Sequence, residues 1–399
     1  MPRFPRLAVL IAAAIVGQDA AAQSLFLPNA FVVDRAGSTL LDIAGARLVD
    51  ARGNVRLCGQ AMVMQAHPRL DASGFLVRLS EGPLPPTVRV EQWSGSGVPQ
   101  WQVESTFFSG IAAVPTGGAL ISRQQVGDDL IEFQRLDARG NELWRSRAVR
   151  GEQPPSFYEF MVDKHGRALF TLPRPVSERQ WQVEVGMLDA DGRLAWVHRQ
   201  SRGGFSIPTL ADDGQGNFWW HLGALLTTEG GQPSALVRMS AWGTPLSQRL
   251  GHELVGGREI ERPVAGAEDD LWFLAGKPDV DVELVRLTEG GGLARFPTGR
   301  RVATQLIADG DGAWLIANTG VHEFTIDHYT AAGRKWSRVL RGLRDARLDI
   351  QPGGDLRLLA LENSGISLRR ISAATGQLLW RKSRAQIDRE CTALNGGQD

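Results

Sequence analysis

The sequence lacks most of what an enzyme or a nucleic-acid binder displays. It has two cysteines, Cys58 and Cys391, and no adjacent pair. Charge of neither sign is in excess: Lys plus Arg and Asp plus Glu number 44 each. A nucleic-acid partner calls for a clustered basic surplus, and the scattered arginines supply none. Beyond the first residues no apolar run is long enough to cross a bilayer, which takes roughly 20 residues. His67, His165, His198, His221, His252, His322 and His328 are dispersed, and the segment 322–328 does not spell the zinc helix H-E-x-x-H. No G-x-S-x-G elbow and no phosphate loop occurs. The Asp309-Gly310-Asp311-Gly312 turn hints at calcium, but the calcium-loop spacing with its closing glutamate is missing. No catalytic residue, metal ligand or cofactor is therefore assigned.

The N-terminus carries a recognisable signal. Arg3 and Arg6 precede the uncharged run Leu7 to Val16, and Ala20-Ala21-Ala22 follows. A basic head, a short apolar stretch and a small-residue site make a secretory signal peptide, 1–22, cut after Ala22. The alternative is a retained N-terminal anchor. No cysteine stands at the cut, so a lipoprotein anchor is unsupported. The mature chain is expected to be periplasmic or secreted.

Composition fits a folded body, with 43% hydrophobic and 22% charged residues. The informative excess is 46 glycines and 12 tryptophans. They fall into a repeat. An apolar strand runs into Asp or a small polar residue, then a glycine, then an aromatic four positions on. It reads Leu136-Asp137-Ala138-Arg139-Gly140 with Trp144, and Leu188-Asp189-Ala190-Asp191-Gly192 with Trp196. Gly53, Gly97, Gly243, Gly292, Gly333 and Gly376 mark the other copies. These glycines recur about every 41 to 52 residues, near the length of a four-stranded propeller blade.

Local chemistry explains the pattern. A turn-opening Asp or Ser accepts an N–H two residues on. Glycine then takes the positive φ that closes a hairpin with a bulge. Flanking segments such as Leu130 to Leu136 alternate with period two, which means strand. The recurrent tryptophan is expected to pack across onto the neighbouring blade. A second turn signal earlier in each repeat, such as Asp34-Arg35-Ala36-Gly37 and Asp163-Lys164-His165-Gly166, supplies the other hairpin. The expected fold is all-β: one β-propeller of about eight four-stranded blades over 24–386. Seven is the alternative, if the short first repeat only completes the last blade. The polar, Gly-rich tail 387–399 is expected to fray beyond Cys391.

In a closed ring the first and last repeats are neighbours. Cys58 ends the outer strand of the first, and Cys391 follows the last, so a disulfide between them would clamp the closure. The alternative is two unrelated free thiols.

The segment Ile371 to Arg381, ISAATGQLLWR, resembles the repeat of the PQQ-like, or quinoprotein-like, propellers. Leu136 to Trp144 and Leu188 to Trp196 are weaker copies. The resemblance covers the mature chain at the level of the repeat. It implies the architecture without choosing an activity, because the superfamily holds both quinone-dependent dehydrogenases and non-enzymatic envelope proteins. The dehydrogenases it brings to mind are longer, hold calcium, and stack an adjacent disulfide on the quinone, which two distant cysteines cannot form. The first reading is thus a non-catalytic binding or scaffold module of the bacterial cell envelope, monomeric, with a protein or peptide partner. The alternative is a quinone- or metal-dependent oxidoreductase, or another enzyme, with its site in the central channel. A carbohydrate-binding module is a third, for which Tyr158 and Trp181 are the candidate aromatics.

Overall fold

The structure is a computed structural model. It describes residues 31–43, 45–82, 87–105, 110–124, 131–149, 159–177, 180–202, 209–212, 216–222, 234–255, 259–266, 270–276, 282–288, 290–300, 302–309, 312–350 and 354–395. These residues form eight four-stranded antiparallel sheets, each made of strands consecutive in sequence. In chain order the blades are β1–β4 (31–58), β5–β8 (62–105), β9–β12 (110–149) and β13–β16 (159–202). Then follow β17–β20 (209–250), β21–β24 (259–300), β25–β28 (302–341) and β29–β32 (343–383).

The first strand of each blade is innermost. β1 (Phe31–Val33) packs against β5 (Met62–Pro68), β5 against β9 (Gly110–Ala113), and so on around to β25 (Val302–Asp309) against β29 (Leu343–Ile350). β29 in turn packs against β1, which closes the ring. The fold is an eight-bladed β-propeller. The short first repeat builds its own four strands, β1 to β4, and does not complete the last blade.

The turn chemistry is as the sequence spells it. Asp137 Oδ1 accepts the N–H groups of Arg139 and Asn141, each at 2.8 Å. Gly140 donates to the Asp137 carbonyl with a φ of 83°. Asp50, Asp163 and Asp189 repeat the arrangement, and Ser240 does so through its hydroxyl. The strand after the turn then carries the aromatic ring to the next blade. Trp144 Nε1 donates to the Ala190 carbonyl at 2.7 Å, and Trp196 Nε1 to that of Ala241 at 3.1 Å. Trp101, Trp336 and Trp380 make the same bond to Ala138, Ala373 and Ala51. Each ring lies on the turn glycine beyond, so closely that a Cβ on Gly243 would stand 2.5 Å from Trp196. At three junctions the dock is altered, and at one of them the Arg249 guanidinium, with no tryptophan, approaches Gly291. Leu57 replaces the tryptophan against Gly97, and Phe296 packs between Trp272 and Tyr329.

Among the described residues two short helices lie outside the strand pattern. α1 (Gly251–Val255) links the fifth blade to the sixth, with Leu254 and Val255 buried. α2 (Arg384–Asn395) occupies most of the segment the sequence suggests as a polar tail. Its Ile387 and Cys391 are buried in a cluster drawn from both end blades, including Val55, Leu361 and Leu368. Cys391 is bonded to Cys58 of β4 (Val55–Cys58), with Cα atoms 5.6 Å apart. The expected clamp exists.

Candidate functional site

Antiparallel alternation sends the turns between first and second strands, and between third and fourth, to one face of the ring. The remaining loops and the blade-to-blade crossovers go to the other face. At the axis, toward the turn face, is a cavity of about 400 Å³. Its walls come from four consecutive innermost strands, β25, β29, β1 and β5, and from the turns that follow β1 and β5.

Some polar groups in this wall are spent on holding the ring together. Gln305 follows a bulge in β25, and its amide meets the next innermost strand: Nε2 donates to the Leu348 carbonyl and Oε1 accepts the Leu348 N–H, both at 2.7 Å. Gln65 follows the equivalent bulge in β5 and does the same to Ile111 at 3.3 and 3.2 Å. A bulge re-aims one side chain out of the sheet, and here it aims a brace. Arg69 is engaged by Asp71 through Nε at 3.0 Å and by Gln100 through an Nη at 2.6 Å.

Asp349 and His67 are different. Both are only partly accessible, and the surface they show faces the cavity. Asp349 Oδ2 accepts the Val33 N–H of the first blade at 2.7 Å, and Oδ1 accepts the Ile350 N–H at 2.9 Å. Burial raises its carboxyl to about 6, against the opposing pull of those two bonds. Burial likewise drives the His67 imidazole down to about 4, partly offset by a hydrogen bond to the Ile111 backbone. The ring is therefore neutral at neutral pH, and its Nε2 lies 3.0 Å from the Gln65 amide nitrogen, which donates to it. Phe31, Val32, Ala66, Leu70 and Ile350 make the rest of the wall mostly apolar, and Arg35 stands in the turn after β1.

The sequence singles out neither Asp349 nor, among seven dispersed histidines, His67. Asp349 alternates with Arg347 and Asp345 in a strand that reads as ordinary. Only the ring geometry puts it opposite a cavity. Cys58 and Cys391 are together, but at the rim, beside a second cavity of about 310 Å³ that Arg47, Gln60, Asp388 and Asn395 also line. Tyr158 lies outside the described residues, and Trp181 is described only by its backbone within 180–188. Gly310 and Asp311 of the calcium-like turn also lie outside them. Among the described residues no three His, Cys, Asp or Glu side chains gather as metal ligands, and no helix is long and apolar enough to cross a membrane.

No protein-family model and no curated protein matches the sequence. Solved structures do match the fold. Prolyl oligopeptidase B from Galerina marginata, bound to a 35mer hydrolysis and macrocyclization substrate, aligns at a TM-score of 0.57 and 13% identity over 92% of this chain. The chain spans 60% of that peptidase's length. Dihydro-heme d1 dehydrogenase NirN in complex with DHE aligns at 0.56 and 12% identity, covering 89% of this chain and 75% of its own. AztD from Citrobacter koseri aligns at 0.54 and 12%, covering 88% and 94%. At such identities the likeness is one of fold. It is a fold used by enzymes as well as by binding proteins.

Proposed function

We propose that the mature chain, freed of residues 1–22, is a monomeric, non-catalytic binding or scaffold module of the bacterial cell envelope with a protein or peptide partner. Its repeats are of the quinoprotein-like kind, a reading that the five Trp-to-carbonyl docks between blades support. Export is supported by the Cys58–Cys391 bond, since such bridges persist in oxidising compartments. The binding role rests on one observation above all. Trp242, at the tip of a turn in the fifth blade, is 84% exposed, Leu246 in the outer strand of the same blade is 52% exposed, and Leu194 in the outer strand of the fourth blade is 51% exposed. Leaving such side chains in water forgoes about 2 kcal/mol each, which a partner's surface would recover. Crosslinking in intact envelopes, with wild type and Trp242→Ser compared, tests this. Capture of a defined partner that weakens in the variant is expected. Turnover of a small substrate with no partner captured contradicts it.

An enzymatic reading is favoured by Asp349, whose carboxyl near 6 is well placed for general-base work. The described residues do not fit a quinone or metal centre, however. The two cysteines are consumed by each other at the rim, and no ligand trio gathers among the described residues.

A further inference from the structure

Asp349 is the acidic group in the lining of the channel cavity, and its hydrogen bonds leave it capacity to spare. Gln305, Gln65 and Arg69 are occupied by backbone or side-chain partners. Asp349 accepts one backbone N–H on each oxygen, and each oxygen keeps a further lone pair. Neither bond supplies positive charge, and among the described residues no cation is paired with it. An ionised carboxylate in confined, poorly solvated surroundings without a counter-ion is strongly unfavourable. Here that carboxylate faces about 400 Å³ of space with mostly apolar walls.

Three features narrow what would complete it. The space suits a small organic body against Phe31, Val32, Ala66, Leu70 and Ile350. A hard divalent ion needs six or more oxygen ligands, and among the described residues no acidic or histidine trio is present to contribute. A guanidinium in its bidentate mode needs the remaining lone pairs of both oxygens at once and in one plane. An ammonium is a compact charge with three rotatable donors and needs only one lone pair. His67 does not oppose it, being neutral at neutral pH, and of the two guanidiniums in the wall Arg69 is held by Asp71, while Arg35 stands in the turn after β1.

We propose that the channel cavity binds a primary ammonium group on a small apolar body, with the Asp349 carboxylate as its counter-ion. The ammonium belongs either to a free amine or to the amino terminus of a polypeptide. This rests on the binding reading above and gives it a ligand chemistry at the axis.

The test is calorimetric titration of the full mature protein at neutral pH with phenethylammonium chloride, and with 2-phenylethanol as the uncharged counterpart. The ammonium is expected to bind about tenfold or more tightly than the alcohol, and Asp349→Asn to remove that difference. The wild-type comparison needs no variant, so an unfolded Asp349→Asn does not blunt it. Phe31→Ala is expected to weaken both probes several-fold, as the loss of an apolar wall would. A Phe-Ala-Ala peptide, free and N-acetylated, separates the two sources. Binding of the free peptide in preference to both its acetylated form and the amine assigns a polypeptide terminus. Preference for the amine assigns a small molecule. Equal affinity for ammonium and alcohol, no binding of either at millimolar concentration, or an unchanged Asp349→Asn overturns the proposal. So does calcium or zinc binding at Asp349 in place of the amine. If the probes fail while an envelope partner is still crosslinked, the scaffold reading stands and this one falls.

Discussion

Cys391, in the last helix, is covalently joined to Cys58, in the outer strand of the first blade, across 333 residues of sequence. Among the described residues no strand is exchanged between the first and last blades, because each is built from consecutive strands. Among the described residues the seam between last and first blades is therefore held by side chains. From axis to rim they include Asp349 on the Val33 N–H, Arg357 on the Gly37 carbonyl, Trp380 and Arg370 on the Ala51 carbonyl, and the disulfide.

Reducing the bridge, or replacing it by Cys58→Ser with Cys391→Ser, is expected to destabilise the ring. Chain entropy for so long a loop sets an upper figure of about 5 kcal/mol. The loss should be smaller, because α2 keeps other ties: Glu390 accepts from Lys382 at 2.7 Å and from the Val55 N–H at 3.2 Å, and Ile387 is buried. Denaturant midpoints with and without a thiol reductant measure it. An unchanged midpoint means the clamp is idle.

The glycine docks separate two effects. Gly243→Ala places a methyl 2.5 Å from the Trp196 ring at a φ of 78°. Gly333→Ala meets nothing within 4 Å at a φ of 117°. The second carries backbone strain alone, about 1–2 kcal/mol. The first adds the displaced ring and its hydrogen bond to Ala241, and about 3 kcal/mol or more is expected. Equal losses in thermal unfolding would show that the tryptophans do not fasten the blades.

Legibility followed the reach of the interactions. The turns and docks are local or repeat with a fixed period, so Asp137, Gly140 and Trp144 announce hairpin, bulge and dock together. The ring brings together what the period does not mark. Asp349 and His67 belong to the eighth and second blades, far apart in sequence, and neither breaks its strand's alternation. α2 escaped for another reason. Its segment is polar, with two residues buried, and it is held by a cystine and one cluster more than by an apolar stripe.

Two carboxyls give opposite pH signatures. Asp349 is raised to about 6 in the folded protein, so it binds protons more tightly folded than unfolded. Its protonated form favours folding below the unfolded value near 3.8, and that stability is lost as pH rises through 6. Asp349→Asn, which keeps one oxygen for the Val33 N–H, is expected to raise stability at neutral pH by about 1–2 kcal/mol. Glu362 behaves the other way. Burial pushes its carboxyl up, but hydrogen bonds from Arg381, Ser367 and Arg369 prevail and hold it near 2. Its contribution is present above 4.5 and lost as pH falls through 2. Glu362→Gln should lower neutral-pH stability by about 1–2 kcal/mol, allowing for solvent screening. Melting temperatures across acid to neutral pH check both. A destabilised Asp349→Asn at neutral pH would show that the carboxylate serves the seam and is not a burden kept for a ligand.

Trp242→Ser is expected to leave unfolding within about 0.5 kcal/mol of wild type, since the ring is 84% exposed. A larger loss would mark it as part of the scaffold, and the partner surface would have to be sought elsewhere.

The most direct measurement is the intact native mass and absorption spectrum of the protein recovered from the periplasm without reductant, before and after alkylation. An exported, closed binding module should begin at Gln23, resist alkylation until reduced, and show neither added mass nor a quinone-like band. A retained leader, cysteines that alkylate freely, or a bound chromophore would contradict it.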